Sequence, residues 1–367
     1  MNRMVFANLV HRPVRSLISV VAVAVEVVLI LVVVGLMVGM LNDAKQRQRG
    51  IGADLTVQPP GSSVIGQISG APVSIKIADL IRKLPHVTVV APVVTQLSTS
   101  GAVEIIYGID LNTYQALSTP FRYLEGGPFS GPNDVIIDDF IATSQHKHVG
   151  DQVGVFNKKF RICGIIEHGR GARKFLSITT MQQLLGAEGK ASIFYVKTDN
   201  PQNAQIVVDE IKAIPGMSEY PVRTIQDLIS MMTPENLPGF STTVDVVIGV
   251  AVIIGFIVIF QAMYTAVMER TREIGILKSL GASKLYIVNV VLRETALLAA
   301  VGVGLGIAIS FAAQAGLVKR FPTIRVELSA HWITYACVIA LVGALLGALY
   351  PAFKAAQKDP IDALAYE

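Results

Sequence analysis

VDVVIGVAVIIGFIVIFQAMYTAVMERTREIGILKSLGAS, Val244–Ser283, decides what kind of fold this chain can adopt. Between Asp245 and Glu269 there is no charged residue. A bilayer core is crossed by about 20 largely apolar helical residues, so this run is long enough to span. Glu269, Arg270, Arg272 and Glu273 follow at once, and the stretch closes on Leu-Gly-Ala-Ser. A short charged helix directly after a span belongs at a membrane surface.

Three more runs satisfy the same length criterion. They are Leu17–Leu41, Thr295–Val318 and Trp332–Phe353, which with Val244–Met268 make four. The whole chain of 367 residues is 52% hydrophobic and only 16% charged, too apolar for an ordinary soluble domain. The first run exceeds the apolar region of a signal peptide and is followed by LNDAKQRQRG, not by a small-residue cleavage site, so it reads as an anchor.

The expected organisation has four transmembrane α-helices plus a large α+β extracytoplasmic domain inserted between the first and second. A cytoplasmic N-terminal segment covers 1–16 and the first span 17–41. The inserted domain covers 42–243 and the second span 244–268. A cytoplasmic segment covers 269–294 and the third span 295–318. A loop covers 319–331, the fourth span 332–353 and a cytoplasmic tail 354–367. The inserted region carries 18 Lys/Arg and 18 Asp/Glu, so the net charge of +4 lies elsewhere. Arg3, Arg12 and Arg15 precede the first span, five basic residues (Arg270, Arg272, Lys278, Lys284, Arg293) lie between spans two and three, and Lys354 and Lys358 follow the fourth. Short basic loops stay in the cytoplasm and long domains translocate largely regardless of charge. Both termini and Met268–Ser283 are therefore expected on the cytoplasmic side. Lys319, Arg320 and Arg325, in a loop that must lie outside, are the exception.

In the inserted domain ADLTVQPP, VTVVAPVV, VEIIYGID, DVIIDD and FRICGIIE read as strands. SIKIADLIRKLPHV and NPQNAQIVVDEIKAIPG read as helices stopped by proline. HGRGARKF, His168–Phe175, interrupts the strand pattern. It reads as a solvated hairpin tip in preference to a contact with a partner or with anionic head groups. His146 and His148 read as a surface turn, not as a metal pair. Cys163 and Cys337 read as unpaired thiols.

No Gly-x-x-x-x-Gly-Lys-Ser/Thr loop, metal-ligand cluster or catalytic constellation stands out, so the chain is not expected to be an enzyme or to hold a cofactor or metal. Nor is nucleic acid an expected partner. Glu26 sits inside the first span, where a carboxylate is costly and normally faces another helix or a cavity. Two readings stay open for it, a protonated packing residue or part of a path for substrate or coupling. Gly35 and Gly39, Gly302 and Gly306, and Gly343 and Gly347 are spaced by four, a pattern that lets helix backbones approach closely. Together they indicate a packed bundle, with a dimer as a possible extension.

Within the opening stretch, Ile274, Leu277 and Gly281 share one helical face, while Ile276 and Leu280 are four apart. Glu269 with Arg272 and Arg270 with Glu273 are spaced for local pairing. Gly281 suits a left-handed stop, and Ser283 can cap the next helix.

ERTREIGILKSLGAS resembles the signature of ABC transporter permeases of the MacB/LolC/FtsX superfamily. Arg270, Glu273, Ile274, Gly275, Lys278, Gly281 and Ala282 fall on its pattern of Arg-x-x-Glu-Ile-Gly-x-x-Lys-x-x-Gly-Ala. YPAFKAAQKDPIDAL is similar to the family's closing motif, through Pro351, Ala352, Ala355, Ala356, Pro360, Ala363 and Leu364. The resemblance implies a MacB-like permease of a bacterial cytoplasmic (inner) membrane, with four spans and no fused ATPase. ATP and magnesium would then sit on a separate ABC ATPase subunit, present in two copies, beside a second permease copy or homologue. The segment Glu269–Ala282 would be the coupling helix in the ATPase groove. Its motion would drive export or extraction of a hydrophobic or amphiphilic cargo (lipid, lipoprotein, peptide or drug) by mechanotransmission, with a periplasmic adaptor and membrane lipids as further partners. The resemblance also implies an alternative, an FtsX-like relay of ATPase state to an extracytoplasmic cell-wall hydrolase.

Overall fold

A computed structural model describes residues 13–62, 71–98, 104–237 and 239–358. Arg3 and Arg12 of the N-terminal segment and Pro360, Ala363 and Leu364 of the closing motif lie outside the described residues. The described chain forms two compact units. One is built from the four long helices, and the other from Met40–Pro238 with Arg320–Arg325.

The helical unit holds α1 (Pro13–Ile51, up to Gly39), α8 (Phe240–Glu269), α9 (Thr271–Ser279), α10 (Lys284–Arg320, up to Lys319) and α11 (Ala330–Gln357). α1, α8, α10 and α11 are each long and apolar enough to cross a membrane. They outrun the apolar runs because helix continues through polar residues such as Asn42–Arg49, whose backbone bonds are satisfied within the segment.

Small residues set how the helices meet. A Cβ at Gly302 would lie 2.7 Å from Val23 Cβ and 2.8 Å from Val20 O, and one at Gly306 would lie 2.8 Å from Val27 Cβ and 2.9 Å from Ala24 O. That pair therefore seats α10 directly on α1 within one chain. Gly347 brings α11 against the backbone of α8, where a Cβ would lie 3.0 Å from Phe256 O. Along α11, Ala336, Ala340, Ala344, Ala348, Ala352 and Ala356 form a buried ladder at four-residue spacing. Gly35 packs under Val326–Leu328, and its carbonyl accepts from Glu327 N at 2.9 Å.

The second unit is an α/β domain on a mixed ten-stranded sheet. Its strands are β1 (Leu55–Val57), β3 (Val87–Ser98), β4 (Glu104–Ile109), β5 (Tyr123–Gly126), β6 (Asp134–Asp138), β7 (Gln152–Val155), β8 (Lys158–Ile166), β9 (Lys174–Ser177), β11 (Ile193–Thr198) and β12 (Val222–Thr224). The order is β12-β1-β11-β3-β4-β9-β6-β8-β5, with β7 on β8. β4–β9 and β6–β8 are parallel, and the other pairs are antiparallel. β2 (Val73–Ser74) and β10 (Lys190–Ala191) form a separate pair. Both sheet faces are covered. Tyr107 and Tyr195 point into one core with Tyr114, Phe121 and Phe175, while their neighbours Ile106 and Phe194 enter two other cores. Strands buried on both faces read as apolar runs without polar alternation.

The two helices expected here appear as α2 (Ile77–Ile81) and α6 (Ala204–Ala213). Four short ones were not foreseen: α3 (Leu111–Gln115), α4 (Asp139–Gln145), α5 (Ile178–Leu185) and α7 (Ile225–Met231). Each begins with a side chain that accepts a backbone N–H, from Asp110, Asp138, Ser177 and Thr224 respectively. A cap of this kind stabilises a helix too short to show periodicity.

The reading of His168–Phe175 as a solvated tip is corrected. Arg173 is 12% exposed, and its Nη1 donates to Asp138 Oδ2 at 3.2 Å while Nη2 donates to Asp43 Oδ2 at 3.0 Å. Arg170 Nη1 donates to Gly50 O at 3.1 Å. The loop is docked because guanidinium groups so far from solvent need carboxylate and carbonyl partners. The basic exception at Arg325 also has a counter-charge, with Nε 3.8 Å from Asp43 Oδ1.

Two outcomes are expected. Gly306→Ala should destabilise the detergent-solubilised chain by about 1–3 kcal/mol, read as a lowered thermal midpoint. Gly304→Ala meets no atom within 4 Å and should not lower it. Burial pushes the Asp138 carboxyl up to about 6, against the pull of Arg173. The folded state therefore binds this proton more tightly than the unfolded chain, and the contribution of Asp138 to stability grows as pH falls from about 6 toward about 4. Asp138→Asn keeps the helix cap and should flatten that part of the pH profile. An unchanged profile would contradict this assignment.

Candidate functional site: the helix between the second and third apolar spans

The sequence signature folds into a helix with two unlike sides. α8 ends at Glu269. Arg270 leaves helical geometry at φ −109°, and α9 starts at Thr271. Thr271 is buried, and its hydroxyl donates to Met268 O at 2.8 Å, covering the break. At the other end Gly281 takes φ +92°, and Ala282 N donates to Leu277 O at 3.0 Å. That six-to-one bond with a left-handed residue is a Schellman stop, and only glycine adopts it without strain. Ser283 Oγ accepts from Tyr286 N at 3.2 Å and caps α10.

The inner side is tied into the helical unit. Gly275 is buried, and Ile274 and Leu277 pack on the core that holds Ile287, Val288 and Val291. Arg270 Nη1 reaches Glu294 Oε2 on α10 at 3.1 Å, with side chains only 12% and 8% exposed. Lys278 Nζ donates to Ala356 O at 3.0 Å and to Lys358 O at the end of α11. Arg270 is spaced for local pairing with Glu273, and its ion pair with Glu294 comes from a different helix, α10. Glu294 lies within the third span's helix and carries no periodic signal that could have marked it.

The outer side is open. Glu269, Arg272, Glu273, Ile276, Ser279 and Gly281 are exposed, as is Leu280 at 80%, followed by Leu285 at 76%. Ala282 is half-buried. The signature therefore divides by function of position. Arg270, Ile274, Gly275, Lys278 and Gly281 shape and anchor the helix, and Arg272, Glu273, Ile276 and Leu280 present a mixed charged and apolar face.

Glu26 is buried on α1, and its Oε1 has no hydrogen-bond partner. A glycine on another helix makes room for it. A Cβ on Gly255 of α8 would fall 2.0 Å from Oε2. A Cβ on Gly343 of α11 would make only ordinary contact with Oε1, at 3.9 Å, and Gly39 is simply buried. His146 forms the left-handed cap of α4, and among the described residues no cluster of three His, Cys, Asp or Glu could hold a metal.

With this geometry in view, comparisons with known proteins place the chain. Residues 16–214 match the family model of the MacB-like periplasmic core domain, and residues 246–360 match that of the FtsX-like permease C-terminal region. The chain belongs to the MacB/FtsX-type ABC transporter permease family.

Among its relatives is an uncharacterized ABC transporter permease, MJ1507, of Methanocaldococcus jannaschii, 28% identical over 60% of this chain and 58% of the relative. A macrolide export ATP-binding/permease protein MacB from a Shewanella species is 25% identical over 80% of this chain and 49% of the relative. The uncharacterized ABC transporter permease YvrN of Bacillus subtilis is 22% identical over 100% of this chain and 99% of its own length. The chain thus spans less than two thirds of the first two relatives. The solved periplasmic region of MacB from Actinobacillus actinomycetemcomitans aligns with 52% of this chain and 97% of its own, at 14% identity and a TM-score of 0.38.

The two sides of α9 give a direct contrast. Glu294→Ala removes a largely buried carboxylate partner of Arg270 and should lower stability by about 3–5 kcal/mol. Arg272→Ala, on the exposed face, should stay within about 0.5 kcal/mol of the parent. Thermal melts of the two variants in one detergent check this, and equal midpoints would reject the division.

Proposed function

We propose that this permease couples ATP hydrolysis on a separate ABC ATPase to export or extraction of a hydrophobic or amphiphilic cargo. The observation that carries the reading is the geometry of α9. It is a short helix capped at both ends, anchored to α10 by Arg270–Glu294 and to the end of α11 by Lys278. Its other face is free to seat in a groove on a partner. A push on such a helix is delivered to the spans on either side of it. Two ATPase copies and a second permease copy complete the assembly. ATP-driven approach of the ATPases moves the spans and, through them, the α/β domain, by mechanotransmission and not by conduction through a channel. The cargo is taken from the membrane or its outer surface, and an adaptor protein on that side is a further partner.

This reading sets both chain ends and α9 in the cytoplasm and the α/β domain outside. The basic residues flanking the spans support that orientation, and Asp43 beside Arg325 answers the one basic loop that opposes it.

Combined Glu273→Lys and Leu280→Asp changes on the exposed face should abolish copurification of an ATPase with the detergent-extracted chain while leaving its thermal midpoint within about 1 kcal/mol equivalent of the parent. Undiminished ATPase recovery would remove the coupling role of α9. A strain lacking the gene should accumulate cargo. A wall-morphology defect without accumulation would instead favour a relay to a cell-wall hydrolase.

A further inference from the structure

The loop between β8 and β9, Glu167–Arg173, gathers the segments by which the chain enters and leaves the α/β unit. The chain passes between units after Gly39, before Gly239, after Lys319 and before Val326. Met40–Ile51 and Arg320–Arg325 adjoin three of these four crossings, and the loop holds both of them.

Against the end of α1 the contact is backbone to backbone. Gly171 N donates to Arg47 O at 3.0 Å, and Arg47 Nη1 donates back to Gly171 O at 3.3 Å. Gly50 passes so close that a Cβ there would sit 1.7 Å from Gly169 O. Gly169 and Gly171 both have left-handed φ, +100° and +84°, values that a side chain would strain. The opposite side of the loop faces Arg320–Arg325. Arg173 Nη2 donates to Thr323 O at 3.3 Å, and Arg325 Nη2 lies 3.3 Å from His168 Nε2.

Below them lie the sheet and α4. His168 N and Nδ1 approach Asp139 Oδ1 at 3.0 and 3.1 Å, and the imidazole stacks on Phe140 with ring centres 3.9 Å apart. The guanidiniums of Arg173 and Arg325 lie 5.1 and 5.6 Å from the centre of the same ring. Asp43 is 7% exposed and sits among Arg47, Arg173 and Arg325 at 3.1, 3.0 and 3.8 Å. Three cations therefore meet Asp43, Asp138 and Asp139 in one balanced cluster.

Arg173 is the member that reaches every part: Asp43 on α1, Thr323 after α10, Asp138 at the end of β6, and Phe140 on α4. A planar fork spreads its donors over separate nitrogens in fixed directions and so spans two carboxylates and a carbonyl, a reach and geometry that a compact ammonium does not reproduce. We propose that Arg173 is the positioning residue that locks Met40–Ile51 and Arg320–Arg325 to the sheet, so that displacement of either segment is delivered to the α/β domain as one rigid movement. This rests on the function proposed above and names the residue within the α/β unit that would carry displacement of those two segments to the sheet.

Amide hydrogen exchange on the full chain in detergent tests the lock. Arg173→Met should speed exchange at least about tenfold in 43–51, 168–173 and 320–325 together, while β3, β4 and β11 keep their protection. Arg173→Lys should restore only part of it. Faster exchange confined to 168–173, or none, overturns the proposal. If Arg173→Met does not fold, Asp43→Asn takes its place, with the same three segments expected to loosen together and the same failure deciding against it.

A second readout separates transmission from mere folding. The ATPase copurified with the chain is compared with ADP and with ATP plus vanadate. With Arg173→Met, ATPase binding and hydrolysis should persist, but the nucleotide-dependent exchange change should no longer appear in β6 and β9. Its full persistence there overturns the proposal. If no ATPase copurifies with the unaltered chain, the function proposed above fails, and exchange on the chain alone still decides whether Arg173 is the lock.

Discussion

Close approach of backbones at Gly302, Gly306 and Gly347 is the constraint on which the helical unit depends. Apolar side chains gain nothing by leaving lipid for one another, so helices in a membrane associate through tight packing and a few polar ties. The alanine ladder of α11 serves the same end along α8. Where packing is this close there is little room to accommodate a change in side-chain volume.

Polar ties then fix what packing leaves free. In the helical unit, Arg270–Glu294 and Lys278 hold α9 to its two neighbours, each at a point where the helix would otherwise rest on a half-buried apolar face. In the α/β unit, Arg173 does the same for a different set of segments. Both guanidiniums are largely withdrawn from water. Such pairs add little net stability over apolar contacts, but they are severely intolerant of losing one partner. Their value lies in fixing one arrangement.

Much of this architecture was legible. Four apolar runs and the neutral region between the first two predicted the helices and the inserted domain, and Gly281 and Ser283 gave the stop and the cap around α9. Strands around Val90, Ile106, Ile136 and Ile162 were legible because they are buried on both faces and so continuously apolar. Short helices such as Ile225–Met231 were not, because a turn or two shows no periodicity and only the cap at Thr224 marks the start.

The sequence by itself determined the apolar helices, the inserted domain and the short amphipathic helix after the second span, because length, apolarity and local caps act between neighbours along the chain. Only the tertiary structure decided what each charged residue faces. Nothing near Arg270 names Glu294, nothing near Arg173 names Asp43 or Asp138, and nothing near Glu26 names Gly255. Those partners lie far away in sequence. A buried charge is satisfied by whichever group the fold brings within hydrogen-bond reach, and local pattern carries no record of that encounter. The same reason turned His168–Phe175 from an expected exposed tip into a docked loop, since its glycines and arginines have the composition of a solvated turn and acquire their role only against Gly50, Asp43 and Thr323.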